Sequence, residues 1–360
     1  MFMRMNLLRS AWDKRHAPPH PALSPQEGRG RTSPTVTNCV LHPGDHTVNP
    51  NRREFLAALA VAGATLPAWS APAARWPVTC RDAHLKATGQ PDCWAAMKFL
   101  GVDGVELDVN EKLECSSLYY PERPYTLADA DGLKRVKEDF RAQGRIISAF
   151  CMHNRLDERL EEEVAWTARL VKAAVQLEVG VIRIDVYPRK ITGDAVLPFA
   201  IKACRQLCDT AAGTPVRFGI ENHGKITNDP EFLDKLFDAV GSPKLGLTLD
   251  FMNFYWFGHP LNELEGIFRK FAPRAFHTHC KNLRYPEDRR NVRRPMGWEY
   301  QKHAAPLYDG DIDYRRAAAI LRQAGYAGDL CLENECLKPF PKEQHPAILK
   351  KEIELLRSVV

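Results

Sequence analysis

Four segments of this chain end in side chains able to hold a cation or move a proton: Phe218-Gly219-Ile220-Glu221-Asn222-His223, Leu247-Thr248-Leu249-Asp250, His277-Thr278-His279-Cys280-Lys281 and Leu332-Glu333-Asn334-Glu335. Brought together, two Glu, one Asp and one His repel or are desolvated unless a cation compensates. One divalent metal ion is the economical answer, with Glu221, Asp250 and His279 as ligands and Glu333 or Glu335 as the fourth. Alternate residues of a strand share a face, so alternation does not choose between the two glutamates. Oxygen and nitrogen donors suit a hard or borderline ion. Taken singly, each residue has an ordinary role: Glu221 in an ion pair, Asp250 as a helix N-cap, His279 as a core histidine.

Convergence requires a scaffold that brings successive strand ends to one mouth. From Trp76 onward, short β-rich runs alternate with stretches of helical periodicity. Strands are predicted at Trp76–Asp82, Asp103–Val109, Arg145–His153, Val181–Val186, Val216–Asn222, Lys244–Asp250, Arg274–Lys281 and Asp329–Glu335. Helices are predicted near Asp92–Leu100, Ala130–Gln143, Leu160–Glu178, Asp194–Ala212, Pro230–Val240, Leu261–Phe271, Asp313–Ala324 and Gln344–Arg357. Gly101, Gly144, Gly180, Gly213, Gly241 and Gly325 each follow a helical run, where a C-cap favours positive φ. Eight βα units predict an α/β fold, a single-domain (β/α)8 TIM barrel over residues 75–360, whose strand C-termini carry the chemistry. An open doubly wound sheet would show a glycine-rich turn after its first strand, and none is present.

The chain has 360 residues, 50 basic and 45 acidic, and that balance gives no single-sign field pointing to nucleic acid. Its ten cysteines contain no CxxC pair, which argues against a zinc ribbon or a thioredoxin-like motif. Residues 1–50 are rich in Pro, His, Arg, Ser and Gly and are read as disordered or as a mis-assigned upstream start. In 51–74, Asn51-Arg52-Arg53-Glu54-Phe55-Leu56 precedes the apolar run Ala57–Trp69 and Ala71-Pro72-Ala73, the anatomy of a twin-arginine export signal. The apolar run is short for a bilayer span, so the expected location is periplasmic, with no membrane span after cleavage; an uncleaved signal would leave an anchor. The reading admits a homo-oligomer.

From Trp76 to Val360 the chain resembles the xylose-isomerase-like barrels, which include sugar phosphate isomerases and epimerases. The resemblance rests on Gly104-Val105-Glu106-Leu107, Gly219-Ile220-Glu221-Asn222-His223, Leu249-Asp250, His279-Cys280-Lys281-Asn282, Gly310-Asp311-Ile312-Asp313 and Leu332-Glu333-Asn334-Glu335. It implies a manganese, cobalt, magnesium or zinc ion held by Glu221, Asp250, His279 and Glu333, and favours Glu333 over Glu335. It further implies Glu221 and Glu333 as the acid/base pair beside a carbonyl. Two departures stand out: Asn253 where many members have histidine, and Asn282 where the family has aspartate. Asn253 argues against the three-zinc arrangement of the more distant endonuclease IV-type relatives, and the two departures together motivate a non-catalytic reading.

Substrate-binding candidates are His153, Glu106, Asn253, His223, Lys281, Arg284 and Trp256. The ordinary alternative for Glu106 is an ion pair with Arg183, and Trp256 and His259 are placed on a loop after Asp250. The segment Asn282–Ile312, with Arg284, Arg289, Arg290, Arg293, Arg294, Trp298 and Lys302, is long enough for a lid, and its cations read as a solvated surface or an anion site. The expected activity is a metal-dependent isomerase or epimerase acting on a small-molecule carbohydrate by proton transfer beside a carbonyl. A dehydratase or lyase on a keto-sugar or keto-glycoside would use the same groups, and a non-catalytic sugar-binding barrel is the rival outside enzymology.

Overall fold

The computed structural model describes residues 75–360; the extension 1–50 and the segment 51–74 read as an export signal lie outside the described residues. Eight strands form the barrel: β1 Val78–Arg81, β2 Gly104–Asp108, β3 Ile146–Cys151, β4 Val181–Ile184, β5 Arg217–Glu221, β6 Leu245–Asp250, β7 Ala275–His279 and β8 Leu330–Leu332. All pair in parallel, in the order β8-β1-β2-β3-β4-β5-β6-β7. The ring closes between β7 and β8, where Cys280 N–H donates to the Cys331 carbonyl (2.8 Å) and Glu333 N–H donates to the Cys280 carbonyl (3.1 Å). Closure satisfies the edge groups that an open sheet would leave unpaired.

Helices α1 Cys93–Leu100, α2 Ala130–Ala142, α3 Leu160–Leu177, α4 Val196–Thr210, α5 Pro230–Val240, α6 Phe251–Phe257, α7 Leu261–Phe271, α8 Tyr314–Gln323 and α9 His345–Val359 connect the strands. Asp92, Asp129, Asp229, Asp250 and Asp313 cap five of them by accepting a backbone N–H one turn in. Close strand packing also fixes one residue near the mouth: a Cβ on Gly219 would meet Thr248 Oγ1 at 2.6 Å.

The structure corrects three local expectations. Gly180 does not cap α3; Glu178 takes the left-handed conformation there, at φ 60°. The segment after Asp250 is helix α6 rather than a loop, because the Asp250 carboxylate accepts from Asn253 N–H at 2.7 Å and starts a turn. The segment after His279 is not an open loop either, since Asn282–Leu283 pairs antiparallel with Ala304–Ala305. All nine cysteines among the described residues are free and buried.

Candidate metal centre

Register decides what the mouth contains. Glu221 and Asp250 are the last residues of β5 and β6, His279 is the last of β7, and Glu333 follows β8 directly. Each of the four is buried and offers one ligand atom, and those atoms all lie within 4.8 Å of one another. Around them the protein supplies Arg81, Arg183 and Lys281 against Glu106, Asp108, Asp185, Glu221, Asp250, Glu333 and Glu335. Carboxyls therefore outnumber these three fixed cations and the His279 imidazole in a largely buried place, where uncompensated charge costs most.

The remaining hydrogen bonds test whether a cation fits. His279 Nε2 is bonded to Glu106 Oε2 at 2.9 Å, which fixes the ring and leaves Nδ1 facing Glu333 Oε2 at 3.0 Å and Glu221 Oε1 at 3.4 Å. Nδ1 is buried and has no hydrogen-bond partner among the described residues, and the same is true of Asp250 Oδ2. An imidazole held from behind by a carboxylate, with its other nitrogen free, is the usual arrangement at a metal ligand. The donor set of three oxygens and one nitrogen thus fits a divalent ion. Lys281 Nζ approaches the same oxygens, 2.7 Å from Glu333 Oε2 and 3.0 Å from Asp250 Oδ2, so an ion entering here shares them with the ammonium.

Ionisation follows from these contacts. Burial opposes charge on Glu221, but Arg183, helped by His279, overrides it and holds the carboxyl below the usual carboxylate range. For Glu333, burial is overridden by His279, Lys281 and Arg81, which hold it well below that range. Burial pushes Asp250 up to about 7, opposed by Lys281 and reinforced by Glu221 and Glu333. Burial works against a charged His279, yet Glu333, Glu106 and Glu221 raise it well above its ordinary value. Metal binding at such a site displaces that proton.

Beside the four donors, the strand ends of β1–β4 carry a different chemistry. Arg183 donates to the Met152 carbonyl and to Asp185 (2.9 Å) and closes on Glu221 Oε2. Arg81 reaches Glu333 Oε1 at 2.6 Å and Asp108 at 2.7 Å. His153, with its side chain 57% exposed, lies 3.2 Å from Asp108 Oδ1 and 3.7 Å from Asp185 Oδ2. Hydrogen bonding to Asp108, then to Asp185, raises its pKa to about 9. His223 is 52% exposed, 3.6 Å from the other Asp185 oxygen.

Not every candidate faces the acid cluster in the role expected of it. Glu106 pairs with His279 and Arg81 rather than with Arg183, because it sits on β2 beside Arg81 on β1. Asn253 donates to Glu221 Oε1 (3.1 Å), so its amide orients a ligand from helix α6. Lys281 is buried among carboxylates. Arg284 is exposed and pairs with Asp309, since it stands on the short antiparallel pair beyond β7. Trp256 backs Gly297, whose N–H donates to the Trp256 carbonyl; it anchors the 282–312 segment instead of forming an open aromatic wall. Glu335 lies past the end of β8 and bonds Tyr300 and Lys281. Of the basic cluster, Arg290 pairs with Asp311 and Arg294 is buried against Tyr255 and Tyr285, so much of its charge serves packing.

Sequence reasoning missed Arg81, Asp108 and Asp185, and gave Arg183 only as an alternative partner of Glu106 and Asn222 only as part of a motif. The signal was present, since Arg81 and Asp108 end their strands as Glu221 does and Asp185 follows β4 directly. Asn222 clamps the end of β6 from both sides, accepting from Asp250 N–H and donating to the Asp250 carbonyl, each at 2.8 Å.

A closed parallel barrel with a buried O3N donor set at its C-terminal mouth defines the class of protein. The family profile described as "Xylose isomerase-like TIM barrel" matches residues 94–359, and the chain belongs to that family. No curated protein matches the sequence. Among solved structures, IolI protein with a binding zinc atom is similar over 79% of this chain and 99% of its own, at 16% identity and TM-score 0.59. The 3-keto-D-glucoside 4-epimerase YcjR from E. coli is similar over 79% and 100%, at 14% identity and TM-score 0.55. The probable 3-DHS dehydratase AsbF from Bacillus anthracis is similar over 78% and 98%, at 14% identity and TM-score 0.55. At such identities the likeness is one of fold.

Proposed function

We propose that the protein is a metal-dependent enzyme that transfers a proton beside a carbonyl of a carbohydrate, as a sugar isomerase or epimerase. The observation carrying this reading is the set Glu221, Asp250, His279 and Glu333, four buried donors within 4.8 Å with two of their atoms left without a hydrogen-bond partner. These residues would hold one divalent ion, and the zinc in the IolI structure supports that choice. When bound, the ion supplies Lewis-acid stabilisation of charge developing next to the carbonyl. Glu221 and Glu333 move the proton, while Arg183 and Arg81 keep their outer oxygens fixed. A carboxylate tied to guanidinium is a weak base, so the reading needs a substrate proton already made acidic by the carbonyl and its surroundings.

A lyase on a keto-sugar or keto-glycoside is the second reading, favoured by His153. This imidazole is half-exposed at the mouth and held protonated by Asp108 and Asp185, in place to donate to a leaving oxygen. The two readings separate in deuterated water. Metal-loaded enzyme acting as isomerase or epimerase incorporates deuterium into recovered sugar without losing a group, and Glu221→Gln abolishes the incorporation while the protein stays folded. Release of water or an aglycone identifies the lyase; unchanged turnover in Glu221→Gln sinks the acid/base assignment.

Export through the twin-arginine route is part of the same proposal, supported by Arg52-Arg53 ahead of an apolar run. That route carries folded proteins, so the ion is loaded before export. Recovery of the protein solely from the cytoplasmic fraction contradicts it.

A further inference from the structure

Beside the mouth, between the segment after β4 and the start of α5, lies a groove of about 920 Å³. Ile191, Leu197, Ile226 and Phe232 supply its apolar lining, and charged side chains such as Arg189, Lys225 and Asp229 line the rest. The volume falls within the range of small-ligand pockets, roughly 300–1,000 Å³.

The groove adjoins the acid cluster through one ring. Tyr187 lines it, and the same ring lies 6.2 Å from His223, centroid to centroid. The contact depends on Gly224: at φ 67° it has no Cβ, and one placed there would meet Tyr187 Cε2 at 2.6 Å. Tyr187 is 38% exposed, and among the described residues it is the one aromatic side chain in the group of exposed large hydrophobics. The wall is built before anything binds, since one oxygen of Asp157 accepts from the consecutive N–H groups of Arg189, Lys190 and Ile191, at 2.7, 2.5 and 2.9 Å. An aromatic face left in water beside a polar mouth, on a loop tied to Asp157, is a preorganised platform for a ring.

We infer that this groove is a subsite for an apolar, ring-bearing group attached to the sugar, so that the substrate is a sugar conjugate rather than a free sugar. The inference rests on the reading of the acid cluster as a sugar site. The sugar lies toward Asp185 and His223, and the attached ring passes over Tyr187 into the space bounded by Ile226 and Phe232.

Calorimetric titration of the metal-loaded full chain with methyl β-D-glucopyranoside and phenyl β-D-glucopyranoside tests it, because the probes share a sugar and differ only in the ring. The phenyl glucoside is expected to bind about tenfold more tightly. In Tyr187→Ala and Ile226→Asp the ratio falls toward one, with the methyl glucoside affinity unchanged. Equal affinities in the unmodified protein, or a ratio that survives both substitutions, overturn the subsite while leaving the sugar site standing. If neither probe binds, the sugar reading and the subsite fall together. Loss of methyl glucoside binding in Asp250→Asn reports on the sugar site alone.

Discussion

The two halves of the barrel mouth handle buried charge in opposite ways. On the β1–β4 side, Arg81 and Arg183 neutralise their neighbours through direct ion pairs, and what remains, His153, is half in water. On the β5–β8 side, Glu221, Asp250, His279 and Glu333 turn one atom each toward a common point; Arg183 and Arg81 hold the outer oxygens of Glu221 and Glu333, and Lys281 reaches the inner ones. The first half is tied together by these ion pairs. The second converges four donor atoms on one place, as expected of a site completed by an ion.

Breaking the compensated half should therefore damage the fold itself. Arg183→Met leaves Glu221 and Asp185 buried without their partner, and denaturant unfolding should show a loss of about 3–5 kcal/mol. Asp250→Asn, by contrast, removes one of several crowded acids, so the metal-free protein should keep its stability. A comparable loss in both variants would erase the distinction between the halves.

A smaller effect sharpens the comparison at the boundary. Glu106 belongs to β2 but holds His279 from behind. Glu106→Gln should weaken divalent metal binding by about 10–100-fold, measured by competition with a chelator, with all four ligands still in place. Unchanged affinity would mean that His279 is positioned by packing alone.

The smallest effect lies at His153, where the sign is set by its raised pKa. The charged ring gains Asp108 and Asp185 on folding, so its contribution to stability is fully present below the unfolded value near 6.5 and is lost as pH rises through about 9. Half-exposure keeps it below about 1 kcal/mol. His153→Gln should flatten stability over that window in pH-dependent unfolding, and a profile identical to the unmodified protein would place the ring outside these pairs.

Much of this was legible in the sequence because barrel strands alternate apolar runs with polar ends. The ranges Pro230–Val240 and Leu261–Phe271 coincide with α5 and α7. Glu221, Asp250, His279 and Glu333 could be picked out as types that need a cation, and the structure brings them together. What stayed hidden depends on register between strands far apart in sequence. That Glu106 meets His279, 173 residues away, or that Arg183 turns to Glu221 rather than to Glu106, is decided by which strand ends face each other across the barrel. Helix α6 was missed for a local reason: it is short and begins at Asp250, whose one oxygen caps the helix while the other points into the acid cluster.

Whether the β5–β8 half binds an ion decides the assignment of the four donors. Titration of the metal-stripped full chain with Mn²⁺, followed by the loss of the free-ion electron paramagnetic resonance signal, measures this directly. One ion should bind per chain, and Asp250→Asn should weaken the binding by on the order of a thousandfold, beyond what outer-sphere substitutions cause. Absence of binding, or binding that Asp250→Asn leaves untouched, would contradict the assignment of Glu221, Asp250, His279 and Glu333 as the metal centre.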